Sequence, residues 1–351
     1  MIYAFSLLLL GTQSLLLAGT RSTATKWTGA VVCLLFTAMA ALRGSVGTDT
    51  YTYRVMIDFF LRGYTLALEP GFLFSANLLS YLTTDPDVLV NLFAVVFFGA
   101  VLVFIRRATY NELVYLFAYF APLYFIGYSM NGLRIGLATV FFLLFFQCFQ
   151  RRQWIWAGLL GAVAFLFHFS ILVAFAVLWL FPSGNMRRRA LLFRAGAFLA
   201  LIGALFGIQG YLLEQIDRYS SADTLGASGG AAGLSGVIKF ALFLPFTFWL
   251  PLRRSHLVQM AAAAFLAIGL SFMLARFSYA GLRFMDIFLW VIPLTYVARL
   301  KLGQQMGSTF LFGLGLAGYI GALFTLRNFF ASQGLGESPF IPYHFIWDKA
   351  F

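Results

Sequence analysis

Along this chain apolar residues come in repeated, nearly charge-free stretches of about 15 to 21 residues, close to the roughly 20 that a helix needs to cross the hydrocarbon core of a bilayer. They predict spans at approximately 2–20, 26–42, 86–105, 110–127, 132–150, 153–168, 169–182, 190–209, 235–251, 256–276, 281–299 and 306–326, about twelve transmembrane helices in all. The pattern breaks at residues 43–85, at 210–234 and in the tail 327–351. Within the first break, EPGFLFSANLLSYL starts with Glu69, puts Pro70 at a first helical position and continues with apolar residues at helical spacing, which predicts a short helix at the membrane surface. The second break holds SSADTLGASGGAAGLSG, a Gly/Ala/Ser-rich run that cannot bury a core and predicts a mobile loop, either a plain linker or a gate for substrate. GLGLAGYIG, from Gly313 to Gly321, is a small-residue span suited to close helix packing.

Composition removes the soluble alternative. With 62% apolar residues, 10% charged ones and a mean hydropathy of +0.88, too few polar groups remain to cover a globular surface. The chain therefore reads as an all-α polytopic membrane protein, a single integral-membrane domain over 1–351. A net charge of +12 raises nucleic acid as a partner, but the basic residues form short clusters between spans and no continuous face, so membrane lipid is the expected partner and nucleic acid is not. Cys33 and Cys148 fall in different apolar stretches and read as buried small hydrophobes. The N-terminus has an apolar core but no positive segment before it, so a retained first span is expected, with its N-terminus outside.

Charge also orients the chain. Threading the spans alternately puts Arg21/Lys26, Arg106/Arg107, Arg151/Arg152, Arg187 to Arg189, Arg253/Arg254 and Arg299/Lys301 on one side, which the positive-inside rule makes cytoplasmic. Of the acidic residues in connections only Glu112 joins them, whereas Asp49, Asp58, Glu69, Asp85 and Asp87 face the periplasm. The long segments 43–85, 210–234 and 327–351 are all periplasmic on this threading, and functional residues concentrate on such loops.

Arginines that oppose the charge bias are the informative ones, because each is costly near lipid unless paired. Arg43 follows the second span, Arg134 opens the fifth, and Arg276 and Arg283 bracket the turn in LARFSYAGLRFMDIF, all at one predicted depth on the outer rim. Guanidinium groups there suit phosphate through paired, charge-assisted hydrogen bonds; the plainer readings are snorkelling to headgroups or pairing with Asp49 and Asp286. Asp49 lies in GTDTYTY, where Thr48, Thr50, Tyr51 and Tyr53 supply hydroxyls and aromatic faces for a sugar and the carboxylate could act as a base. The plain alternative for Asp49, and for Glu69, is a helix cap. His168, in FLFHFSIL, is a titratable group at the same predicted depth, either a rim hydrogen-bonding residue or a catalyst. No metal-ligand spacing and no nucleotide-binding glycine pattern occurs, so no metal or cofactor is expected.

The ordered strings RGSVGTDTYTY, EPGF, NGLRIGLA, FHFS and GLRFMDIF span most of the chain and resemble the EpsG-like exopolysaccharide polymerases, relatives of the Wzy-type O-antigen and capsule polymerases. The resemblance implies polymerisation of undecaprenyl-diphosphate-linked oligosaccharide repeats at the periplasmic face of a bacterial inner membrane, with a chain-length-regulating co-polymerase as a candidate protein partner. It implies Arg43, Arg134 and Arg283 on the diphosphate with Arg276 in reserve, Asp49, then His168, then Glu69 as base, and Thr48, Tyr51, Tyr53, Tyr128 and Asn131 around the sugars. Direct displacement would invert the anomeric centre. A lipid-linked glycan ligase would use the same groups; a flippase should instead show internal repeats and ionisable residues near mid-membrane, which this sequence does not display clearly.

Overall fold

The structure, a computed structural model, describes residues 2–20, 23–66, 68–180, 234–250, 252, 254–275, 279–298, 300, 306–330 and 340–348. Among these the named elements are all helical: α1 (Ile2–Gly19), α2 (Ala24–Ala41), α3 (Thr50–Leu61), α4 (Pro70–Ser80), α5 (Pro86–Arg107), α6 (Tyr110–Met130), α7 (Leu133–Gln150), α8 (Trp154–Phe167), α9 (Leu172–Leu180), α10 (Leu234–Thr247), α11 (Arg254–Leu274), α12 (Tyr279–Ala298) and α13 (Ser308–Phe330). Eight of the helices in the described residues are long and apolar enough to cross a membrane, and α8, α9 and α10 are shorter apolar helices, so the protein is a polytopic membrane protein. The span expected at 190–209 and nearly all of the loop expected at 210–234 lie outside the described residues.

Local chemistry sets several ends. Pro86 opens α5 behind Asp85, whose carboxylate accepts from Asp87 N at 2.8 Å, and Arg106 and Arg107 close it against the helix dipole. α6 begins with a capping box in which Thr109 and Glu112 satisfy each other's backbone amides. Its middle, Tyr115–Phe120, is wound as a π-helix. Gly318 of α13 seats against that stretch, since a Cβ there would lie 2.2 Å from the Ala118 carbonyl oxygen.

Two elements depart from the sequence pattern. The segment 43–85 forms α3 as well as the expected helix α4; TYTYRVMIDFFL is rich in Thr, Tyr and β-branched residues that favour helix weakly, so α3 rests on burying Tyr53 and Ile57, one turn apart. The expected spans 153–168 and 169–182 form α8 and α9, and the chain between them leaves the helix at His168, which is extended, before a short 3-10 turn.

Packing divides the chain into two units, one comprising Met1–Ile171 with Gly318–Phe351 and the other Leu172–Ala317. In the first, α2, α5, α6 and α7 enclose an aromatic core in which Phe36, Phe97 and Phe98 stand edge-on to Phe125. Gly136 lets α7 cross α6 closely, because a Cβ there would sit 2.3 Å from the Tyr128 carbonyl oxygen. That crossing fixes where Asn131 and Arg134 stand. In the second unit α9, α10 and α11 pack on α12 around Trp290, Tyr296 and Phe243.

Candidate active site

Between α2 and α3 the chain makes a short loop that is laced to the α6–α7 turn. Gly47 takes φ +104°, a conformation that favours glycine, and a Cβ there would stand 3.1 Å from the Met130 carbonyl oxygen and 3.2 Å from Asn131 Oδ1. The Thr50 hydroxyl donates to the Val46 carbonyl and reaches Met130 O at 3.2 Å. Asn131 Oδ1 accepts from Thr48 Oγ1 at 2.9 Å and from Asp49 N at 2.8 Å. The sugar-binding candidates Thr48 and Asn131 are therefore joined to each other. Asp49 occupies the N-cap position of α3, but its side chain caps no amide, and its Oδ1 receives only a longer contact of 3.3 Å from Thr48 Oγ1. Its carboxylate stays at the rim, half-buried.

The second group is built on Glu69, which precedes α4 and is 0% exposed. α4 is pressed against α8 by Gly71, where a Cβ would approach the Leu166 carbonyl to 2.8 Å, and against α5 by Phe72, which stacks on Phe93 with ring centroids 4.6 Å apart. Glu69 Oε1 meets His168 Nδ1 at 2.6 Å, and Oε2 forms an ion pair with Nη1 of Arg134. Burial alone would raise the Glu69 carboxyl; the hydrogen bond and charge of His168, and then Arg134, outweigh it and hold the group at about 2. The break in the helix at His168 puts the imidazole on that carboxylate. Arg134 in turn lies 5.9 Å from the centre of the Tyr53 ring.

Arg43 is the third group, and its chemistry differs. It is also 0% exposed; Nη1 donates to the Ser129 carbonyl at 2.6 Å, while Nε and Nη2 are buried with no hydrogen-bond partner among the described residues. Burial pushes this guanidinium down to about 10, with Tyr343, Tyr53 and Tyr3 holding it up and Arg54 pushing it down. It is a cation at neutral pH, surrounded by tyrosines. Tyr53 is thus a neighbour of both Arg43 and Arg134, which places the two arginines in one locality. The backbone of Arg43 is held by Asn91 Nδ2, donating to its carbonyl at 2.8 Å, and by an antiparallel bridge to Phe345 in the C-terminal segment 340–348.

The strings RGSVGTDTYTY, EPGF, NGLRIGLA and FHFS thus meet within the first unit. Tyr51 lies in the first turn of α3 and is 75% exposed, whereas Tyr128 is buried on α6 beside Tyr124 and Phe120. Arg276 lies outside the described residues. Arg283 belongs to α12 in the second unit, where it and Lys239 of α10 act electrostatically on Asp286. Sequence reasoning passed over Arg54 and Tyr343. Arg54 directly follows the string RGSVGTDTYTY and lies in the same break of the apolar pattern as Arg43; it donates to Ser45 Oγ at 2.8 Å and pairs with Asp87 at 2.7 Å. Tyr343 carried no signal, because only the folded chain brings the tail to residue 43.

What this arrangement offers is a hydrogen-bonded acid–imidazole pair, a rim carboxylate and a buried guanidinium with capacity left over. No curated protein and no solved structure matches the chain. The model of the EpsG family matches residues 26–345, a range that takes in every residue of the site from Arg43 to Tyr343, and the chain belongs to the EpsG family.

Proposed function

We propose that this protein is a membrane glycosyltransferase that polymerises undecaprenyl-diphosphate-linked oligosaccharide repeats at the periplasmic face of the bacterial inner membrane. Family membership points to polysaccharide polymerisation. The observation that carries the finer reading is Arg43, a buried cation with two guanidinium nitrogens unsatisfied among the described residues, which is an anion site in waiting.

In this reaction a terminal hydroxyl of one lipid-linked repeat attacks the anomeric carbon of the glycan carried on a second. The new C–O bond forms as the bond to the diphosphate oxygen breaks, and undecaprenyl diphosphate leaves as an anion. Arg43, with Arg134 beside Tyr53, stabilises the charge that develops on those oxygens, the task a metal ion performs in other enzymes. The acceptor proton passes to a base. With Nδ1 held by Glu69, proton exchange at His168 falls to Nε2, and the Glu69 carboxylate stabilises the imidazolium that results. Glu69 itself, with both oxygens committed, acts through His168 and is a positioning residue. Asp49, Thr48 and Tyr51 at the rim bind sugar hydroxyls and ring faces, and a single displacement inverts the anomeric centre.

The test supplies purified protein in nanodiscs with a synthetic undecaprenyl-diphosphate oligosaccharide and no other sugar donor. A ladder of longer lipid-linked glycans, unaffected by chelators, is expected. Movement of the lipid-linked sugar between leaflets of proteoliposomes without any ladder would replace the polymerase with a flippase.

A further inference from the structure

Arg43 has bonding capacity to spare and no open path to it. Since its side chain is 0% exposed, any anion that satisfies Nε and Nη2 must first displace part of the wall. Most of that wall is immovable at modest cost, because Ser129 lies in α6, one of the spanning helices, and Tyr53 is packed between Phe72 and Arg134. The segment 340–348 is fastened differently. Gly44 N donates to His344 O at 2.7 Å and Ile346 N to Leu42 O at 2.8 Å on either side of the Arg43–Phe345 bridge. The Tyr343 hydroxyl donates to the Met39 carbonyl, and the Tyr3 hydroxyl to Phe340 O at 2.9 Å. Gly44 permits this close seating, since a Cβ there would lie 2.6 Å from Phe345 O.

Beside those few hydrogen bonds the segment is held by the Tyr343 ring, which stands edge-on to Tyr3 with centroids 6.2 Å apart, and by Phe340. Phe340 is buried, but Tyr343 to Ile346 are half-buried and Trp347 is 61% exposed. The segment also keeps its own shape: Asp348 Oδ2 accepts from Phe345 N at 2.8 Å, and the Phe345 and Trp347 rings stack 4.8 Å apart at 3°. It can therefore move as a piece. Tyr343 is among the groups that act electrostatically on Arg43, so its hydroxyl stands close to where a bound anion would be.

We propose that residues 340–348 form a lid over Arg43, which lifts to admit the diphosphate and closes with the Tyr343 hydroxyl donating to a phosphate oxygen in place of the Met39 carbonyl. The proposal rests on the reading of Arg43 as a diphosphate ligand. Charge-assisted bonds from a guanidinium to phosphate are stronger than the neutral bonds the lid gives up, so the anion itself supplies the drive for the exchange.

The experiment uses the full-length protein in nanodiscs, inorganic pyrophosphate as the binding probe, and the pair Leu42→Cys/Ile346→Cys. These positions face each other beside the Arg43–Phe345 bridge, and the native Cys33 and Cys148 are buried. Oxidation, or a short bis-maleimide, ties the lid shut; pyrophosphate association should then slow by about tenfold or more and, for the disulfide, recover on reduction. Equal association rates in the tied and untied forms would overturn the lid. Tyr343→Phe should speed pyrophosphate release several-fold without slowing its entry, and an unchanged release rate would remove Tyr343 from the site. If the untied protein takes up no pyrophosphate, Arg43 is not an anion site that opens, and the lid falls with it. Gated binding without a glycan ladder would leave the lid standing and overturn the polymerase; a full ladder from the tied form would do the reverse.

Discussion

Glu69 and Arg43 are both 0% exposed charges in the first unit, and they are treated in opposite ways. Both Glu69 oxygens are engaged, one by His168 and one by Arg134. Among the described residues Arg43 has a single side-chain hydrogen bond, to a backbone carbonyl, with Nε and Nη2 unsatisfied. A buried charge left short of partners costs stability, whereas a fully paired one holds its neighbours in place. Under the proposed function the contrast separates two roles: Glu69 belongs to the scaffold that orients the site, and Arg43 to the part that waits for substrate.

The largest test of this contrast is Glu69→Ala. It strands two polar side chains, and breaking a buried pair in this way costs about 3–5 kcal/mol, so the thermal unfolding midpoint in detergent should drop clearly and glycan ladders should vanish. Acid probes the same pairing. The carboxyl titrates at about 2 in the folded protein against 4.5 for the free group, so its contribution is complete above the free-group value and declines as pH falls from there toward the folded one. Wild-type stability should therefore weaken over that acid interval, and the Glu69→Ala protein should lack this component; identical acid profiles would deny that the carboxylate is paired as described.

Next comes His168→Gln, which keeps a hydrogen-bonding group near Glu69 but removes the proton acceptor. General-base catalysis is worth roughly 10²- to 10⁴-fold, and ladder formation should slow by that amount with little change in the unfolding midpoint. The pH profile of the residual rate is the sharper readout, because it should lose its acid limb. If Asp49→Asn slowed the reaction as much and removed the same limb while His168→Gln did not, the base would be the rim carboxylate.

How much of this could be read from the sequence depends on which kind of interaction is meant. Arg43, Glu69, Arg134 and His168 stand out in the chain because each is a polar group where an apolar stretch begins or ends, and that is a local property. Their pairing is not local: Glu69 meets a histidine 99 positions away because α8 stops at His168 and α4 packs under it through Gly71. Sequence reasoning consequently placed Glu69 last among the bases and could not see that its oxygens are spent. α3 is visible in the sequence only through the helix-cap alternative for Asp49, for a related reason, since its Thr and Tyr residues argue against helix until Tyr53 and Ile57 find the neighbouring helices. The tail 327–351 shows in the sequence only as a break in the apolar pattern, and nothing local in it signals that its backbone pairs with residues 42–44, about three hundred positions away.

Arg43→Met reverses the outcome expected of Glu69→Ala. An apolar side chain of similar length relieves a buried charge that lacks partners, so stability should hold or rise, while losing an electrostatic donor to the leaving group should cut ladder formation by roughly 10²- to 10³-fold. A protein that is both intact and inactive is the signature of a ligand site. Should Arg43→Met unfold as readily as Glu69→Ala, Arg43 would be a structural cation, and the distinction between the two groups would collapse.

The smallest effect is expected at Asn131, where the contrast is tuned and not carried. Its Oδ1 holds Thr48 Oγ1 and the Asp49 amide, and through them the loop that connects Arg43 to α3. Asn131→Ala removes both bonds, for a loss of about 1–2 kcal/mol in a half-buried setting. The fold should survive, because the Thr50 hydroxyl still ties the loop to the Met130 carbonyl. What should change is the placement of the rim: Thr48 and Asp49 are freed, so the concentration of acceptor needed for half-maximal ladder formation should rise several-fold, while the maximal rate changes little because Arg43, Glu69 and His168 do not depend on that amide. A fall in maximal rate with no change in acceptor dependence would mean instead that the loop positions the reacting groups themselves, and Asp49 would then move from the rim to the centre of the chemistry.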